Sequence, residues 1–136
     1  MKIQEIMSRN VKTAGPDDDA RSVSKKFEDL KIHHIPVVER GKVVGILSMN
    51  DYRGVMRVGE KGATVTPDMV FGGLTVRSLM TENPITVTPE DTVENAATLI
   101  LQHDIHSLPV VEKGALVGIV TENDILRAVA KGQLSG

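Results

Sequence analysis

His33-His34-Ile35-Pro36-Val37-Val38-Glu39, followed by Gly45-Ile46-Leu47-Ser48-Met49-Asn50-Asp51, returns 73 residues later as His106-Ser107-Leu108-Pro109-Val110-Val111-Glu112 and Gly118-Ile119-Val120-Thr121-Glu122-Asn123-Asp124. The same register holds without a gap from Met7 on Met80 to Met56 on Val129, and 17 of those 50 paired positions carry the same residue. A long unit that occurs only twice is not a solenoid, which stacks three or more short repeats. It reads as two copies of one small unit packed on each other, with two equivalent candidate sites.

Each copy opens with a short helical stretch, residues 3–7 and 76–80, and a short β-like segment, 11–13 and 85–88. A turn of Pro and acids follows, Pro16-Asp17-Asp18 and Pro89-Glu90-Asp91. Asp91 with Glu94 fits an acidic capping box, which predicts a helix start there. Apolar residues then recur at helical spacing: Ala20, Val23, Phe27 and Leu30, and Val93, Ala96, Ala97, Ile100 and Leu101. Two β-rich runs come next, 35–38 with 43–48 and 108–111 with 116–121, each pair joined by a short loop holding Gly41 or Gly114. That pattern reads as a hairpin, and the unbroken apolar runs predict burial on both faces. A last helix is expected over 50–58 and 123–131. The fold class is therefore α/β: tandem β-α-β-β-α units, each with a small three-stranded sheet, related by pseudo-two-fold symmetry. The sequence places unit one at 1–58, a linker at 59–75 and unit two at 76–136, the linker being long for a compact domain.

With 136 residues, each half is of a size at which a core is marginal, so mutual burial of the halves is the expected route to stability. A formal net charge of −2 argues against a general nucleic-acid binder, which carries a basic surplus. Phe27, Tyr52 and Phe71 are too few aromatics for a base-stacking platform. No apolar leader or membrane-length apolar run is present in the sequence, so the cytoplasm is the expected location and no membrane partner is expected. Cysteine is absent, which removes thiolate chemistry.

The candidate site is the strand-to-helix junction, Gly45-x-x-Ser48-x-x-Asp51 and Gly118-x-x-Thr121-x-x-Asp124. One reading is purely structural: a hydroxyl followed three residues later by an acid caps a helix and needs no ligand. The other uses the same geometry. A helix start presents free N–H groups and a partial positive charge, which suit a phosphate. A cap hydroxyl can donate to a phosphate oxygen, and a carboxylate one turn in can accept two hydrogen bonds from a ribose diol. Gly45 and Gly118 would let a ligand lie close to the backbone.

Met7-Ser8 and Met80-Thr81, then His-His-Ile-Pro-Val-Val and His-Ser-Leu-Pro-Val-Val, then Gly-Ile-Leu-Ser-Met-Asn-Asp and Gly-Ile-Val-Thr-Glu-Asn-Asp, resemble the cystathionine β-synthase (CBS) domain in order and spacing. The chain is similar to a stand-alone CBS pair, or Bateman module, over all but the 59–75 linker. The resemblance implies a non-catalytic regulatory module that binds adenosine-containing ligands (AMP, ADP, ATP, S-adenosylmethionine or a dinucleotide) in clefts between the two units. It implies that Asp51 and Asp124 take the ribose hydroxyls. Ser48, Thr121, His33, His34, His106, Ser107 and Lys12 would lie near the phosphate, and Ile35, Pro36, Leu108, Pro109, Thr13 and Thr86 would enclose adenine. It further implies a disc-like homodimer, an unidentified regulated protein, and no obligatory cofactor beyond the adenine nucleotide itself. Many sites of this family carry Arg where His34 and Ser107 stand, and Lys12 has Ile85 as its counterpart. The first copy is thus the better equipped for phosphate. The competing reading is a ligand-free assembly module whose Ser/Thr-x-x-Asp motifs only cap helices.

His103 and His106 are three apart, as metal ligands on one helix face can be, but the helix is expected to end between them and no metal site is assigned. Tyr52 has Ile125 as its counterpart and reads as packing, while Arg53 and Arg127 read as solvated. No nucleophile-base set and no Walker-type loop is present, so no catalytic residue is assigned.

Overall fold

The computed structural model describes residues 1–51 and 72–132. Of the helix expected at 50–58, only residues 49–51 are described, as its first turn. Tyr52, Arg53 and most of the 59–75 linker lie outside the described residues.

Two compact units make up the chain, Lys12–Asn83 in one and Met1–Val11 with Pro84–Gly136 in the other. In the Lys12–Asn83 unit, α1 (Ala20–Leu30) leads to β1 (His34–Glu39) and β2 (Lys42–Ser48), and later α2 (Val76–Leu79) leads to β3 (Thr81–Glu82). The sheet order is β1-β2-β3, all antiparallel. The other unit holds a 3-10 turn (Ile3–Glu5), α3 (Val93–His103), β4 (Ser107–Glu112), β5 (Ala115–Thr121) and α4 (Glu122–Ala130). Its β4-β5 hairpin is extended by a Ser8–Ile119 bridge where the first sheet has β3. This is the mixed α/β architecture with small antiparallel sheets that the sequence predicts.

The hairpins turn on Arg40-Gly41 and Lys113-Gly114, all four residues at positive φ. Two consecutive left-handed residues match the right-handed twist of the flanking strands, and Gly takes the second position without a Cβ penalty. The expected opening strands contract to single parallel bridges, Ala14 on Val37 and Val87 on Val110. The expected cap also moves by one residue. Thr92, not Asp91, caps α3 by accepting from Asn95 N at 3.0 Å, and Asp19 caps α1 by accepting from Arg21 N. Asp91 and Asp18 instead close the preceding turn, accepting from Thr88 N (2.9 Å) and Gly15 N (2.8 Å). A short carboxylate followed by another polar residue can serve either purpose, and the Pro turn upstream decides which.

The compact units follow packing, whereas the 1–58 and 76–136 boundaries follow the repeat. Each unit takes its leading segment from the other copy, through the same bonds. Ile3 N donates to Asp91 O and Gln4 N to Pro89 O; Val76 N donates to Asp18 O and Arg77 N to Pro16 O. One core gathers Ala20, Val23, Phe27, Ile35, Val37 and Leu47 around Val76. The other gathers Ala96, Ile100, Leu108, Val110 and Val120 around Ile3 and Met7.

The motif glycines serve this exchange. A Cβ on Gly118 would stand 2.8 Å from the Ser8 carbonyl oxygen and 2.9 Å from Met7 Sδ; one on Gly45 would stand 2.5 Å from Met80 Sδ and 3.0 Å from the Thr81 oxygen. The close neighbour is thus the chain's own leading segment, which corrects the expectation of a gap for ligand. Gly118→Ala is expected to cost about 1–3 kcal/mol by overpacking against backbone. Gly45→Ala is expected to cost less, because the flexible Met80 thioether can swing aside. Thermal denaturation of the two variants reads the difference. Equal, negligible losses would mean the leading segments are not held there.

Candidate functional site

In each half the hairpin ends where the last helix begins, and backbone pairing brings the candidate residues together. His34 is directly opposite Ser48, and Ser107 directly opposite Thr121. The carbonyl of His33 accepts from Met49 N at 2.9 Å and that of His106 from Glu122 N at 3.1 Å. The residues ahead of the first hairpin strand are therefore tied to the first residue of the helix. Thr13 and Thr86 arrive from the other side, one residue before the Ala14 and Val87 bridges.

Both carboxylates act on the helix start. Asp51 Oδ2 accepts from Ser48 N at 2.8 Å and from Ser48 Oγ at 3.1 Å. Asp124 Oδ2 accepts from Thr121 N at 2.9 Å and from Thr121 Oγ1 at 3.2 Å, while Asp124 N donates to the same hydroxyl. This is a reciprocal capping box, complete in the second half. It uses one oxygen of each carboxylate. Asp124 is 9% exposed, and its Oδ1 accepts from Arg127 Nη1 at 3.2 Å. Arg127, read as solvated, keeps 60% side-chain exposure but reaches back one turn to this carboxylate.

The apolar members are placed differently. Ile35, Pro36, Leu108 and Pro109 are fully buried, with Ile35 and Leu108 inside the cores of their own units. Thr13, Thr86, Lys12, His33 and His106 are exposed, and Ser107 is buried. Helix α3 ends at His103, with Asp104 left-handed at its C-cap, so His106 lies beyond the helix and off its face. Among the described residues no three potential ligand side chains converge as a metal site requires.

Two charged residues join the junctions that motif reading passed over. Lys26 Nζ donates to the Thr13 carbonyl at 3.2 Å, beside the opening bridge of the first half. Glu122 Oε2 lies 3.2 Å from His106 Nδ1, at the first residue of α4. The signal for both was in the repeat: Lys26 has Leu99 as its counterpart and Glu122 has Met49, which are changes of charge inside a shared scaffold.

The CBS domain family model matches residues 3–57 and 76–131, and the chain belongs to this family. It is 28% identical over 123 residues to the CBS domain-containing protein YhcV of Bacillus subtilis, covering 90% of this chain and 81% of that protein. It is 31% identical over 125 residues to an inosine-5'-monophosphate dehydrogenase of Korarchaeum cryptofilum, covering 91% of this chain but only 23% of the dehydrogenase. Among solved structures it is similar to the CBS domain pair of protein MJ0100 in complex with 5'-methylthioadenosine and S-adenosyl-L-methionine. That likeness has a TM-score of 0.82 and 27% identity, covering 97% of this chain and 98% of the other. No described helix is long and apolar enough to cross a membrane.

Proposed function

We propose that the chain is a non-catalytic sensor that binds adenosine-containing ligands at its two strand-to-helix junctions and passes their occupancy to a partner protein. The observation that carries this reading is the same hydroxyl–carboxylate arrangement at both junctions, with Asp51 and Asp124 held beside a helix start by Ser48 and Thr121. A ribose diol needs such a carboxylate, fixed in direction before the ligand arrives, and the helix start favours a nearby phosphate. The domain pair of MJ0100, bound to two adenosine derivatives, supports the ligand class. In this reading Ser48, His33, His34 and Lys12 face the phosphate in the first half, and Thr121, His106 and Ser107 line the corresponding position in the second. Adenine lies along Thr13 with Ile35 and Pro36, and along Thr86 with Leu108 and Pro109, the buried apolar residues forming a floor.

The first half is the stronger phosphate site, because Lys12 and Lys26 have only Ile85 and Leu99 as counterparts. Binding signals to a partner only if the ligand distinguishes two states of the protein. The reading includes a cytoplasmic location and a homodimer; the exposed Leu101, Leu126 and Val129 on α3 and α4 support the homodimer, and sedimentation equilibrium would test it.

Nucleotide-stripped protein titrated calorimetrically with AMP, ATP, S-adenosylmethionine, 5'-methylthioadenosine and NAD is expected to saturate with at least one of them. At 100 times its dissociation constant that ligand adds about 2.7 kcal/mol of stability, visible as a thermal shift. Neither heat nor shift with any adenosine compound would overturn the proposal. The second reading, a ligand-free assembly module, is favoured by the capping box being complete without a ligand, and it is what that negative result would leave.

A further inference from the structure

We propose that Glu122 makes the second junction selective for an adenosine whose 5' substituent carries no negative charge, so that the two halves take different members of one ligand class. The proposal rests on the adenosine reading above and adds a residue that chooses within it. Glu122 stands between Thr121, on the phosphate side of the junction, and Asp124, on the ribose side. Its carboxylate turns back over the strand entrance, 3.2 Å from His106 Nδ1, with both side chains half exposed. A phosphate at this junction would therefore approach a carboxylate. At the same place the first half carries Met49, which packs on its core and brings no charge.

No lysine or arginine of this half is paired with Glu122 among the described residues. Arg127 is engaged by Asp124 Oδ1, which leaves Glu122 facing the His106 imidazole, a counter-charge only when protonated. Ser107, buried opposite Thr121, is neutral where the first half has His34. Ile85 and Leu99 pack against the core of the second unit, where the first half has Lys12 and has Lys26 on the Thr13 carbonyl. Apart from Arg127, which Asp124 engages and whose counterpart is Gly54, the charge differences run the same way: Lys12 and Lys26 in the first half, Glu122 in the second. A half-exposed carboxylate about 6 Å from a phosphate dianion weakens binding by about tenfold at the dielectric of water, and by more at that of a protein surface. An uncharged 5' thioether meets no such repulsion.

The test silences the first junction with Asp51→Asn and compares AMP with 5'-methylthioadenosine at the second by calorimetry. With Glu122 in place, the thioether nucleoside is expected to bind about tenfold or more tighter than AMP. Glu122→Gln is expected to shift that ratio about tenfold toward AMP, and added salt is expected to shrink the effect of the substitution by screening. Glu122→Met, which copies Met49, should act like Gln and guards against a change specific to the amide. A merely structural role for Glu122, as an acid in the first turn of α4, would move both affinities together and leave the ratio alone. Equal affinities with Glu122 present, an unchanged ratio in both variants, or no binding of either compound at the second junction would overturn the proposal. The adenosine reading would survive any of these provided the unsubstituted protein binds an adenosine ligand, and would fall with it if that protein binds none.

Discussion

Replacing Asp51 and Asp124 together with Asn is expected to weaken adenosine-ligand binding at least hundredfold while lowering the melting temperature of the empty protein by only a few degrees. The two effects separate because the carboxylate has two tasks. In the empty protein each one accepts from the backbone N–H and hydroxyl of Ser48 or Thr121. An Asn side-chain carbonyl can still accept from that N–H. What is lost is the charge complement to the helix start, about 0.3–1 kcal/mol at each site. In a domain of this size 1 kcal/mol corresponds to a shift of roughly 4 °C. Toward a ribose diol the exchange is far more damaging, since an amide cannot accept two hydrogen bonds with both groups of its fork. Charge-assisted hydrogen bonds contribute about 1.5–3 kcal/mol each, and tenfold in affinity is about 1.4 kcal/mol. Calorimetry on the double variant, with differential scanning of the ligand-free protein beside it, reads both numbers. Undiminished affinity would mean that these carboxylates only cap helices.

The hairpins, the two long helices and the placement of Ser48–Asp51 and Thr121–Asp124 were legible because local chemistry fixes them. Arg40-Gly41 and Lys113-Gly114 allow only a tight turn, and a β-branched run followed by a hydroxyl and an acid marks a strand ending in a helix. The exchange of leading segments was not legible, and the repeat itself is the reason. Met7-Ser8 and Met80-Thr81 are near-identical, and so are their landing strips around Ile46 and Ile119. Nothing local decides which strip each segment takes, so the sequence is degenerate between a contiguous and an exchanged arrangement. The roles of Gly45 and Gly118 were misread for the same cause: an empty space beside a strand looks the same whether chain or ligand fills it. Asymmetry was hidden differently. Lys26 and Glu122 sit inside regions whose pattern was recognised as shared, where a single change of charge does not disturb the pattern.

Deleting residues 1–11 is expected to abolish cooperative unfolding of the unit formed with Pro84–Gly136, although the deletion lies far from that unit in sequence. Ile3 is fully buried and Met7 is 9% exposed, and both stand in the core with Leu108, Val110 and Val120. Burial of side chains of this size contributes about 1.5–3 kcal/mol each, against a total of about 5–15 kcal/mol for a typical domain. The deletion also removes both bonds between Ser8 and Ile119 and leaves the Asp91 and Pro89 carbonyls without their Ile3 and Gln4 donors. The Lys2–Glu90 pair goes too. Glu90 raises the Lys2 pKa, chiefly through a side-chain hydrogen bond and then through Coulomb attraction, but the pair lies in open water and contributes little. Ile3→Ala isolates the packing part and is expected to cost about 2–5 kcal/mol. Chemical denaturation followed by far-ultraviolet circular dichroism distinguishes the cases. The full chain should show a cooperative transition that the deletion variant lacks in part, with Ile3→Ala in between. A deletion variant that unfolds within about 1 kcal/mol of the full chain would show that the second copy builds its core without the first copy's leading segment. The reciprocal packing of Val76 and Met80 on the first copy would then lose its counterpart.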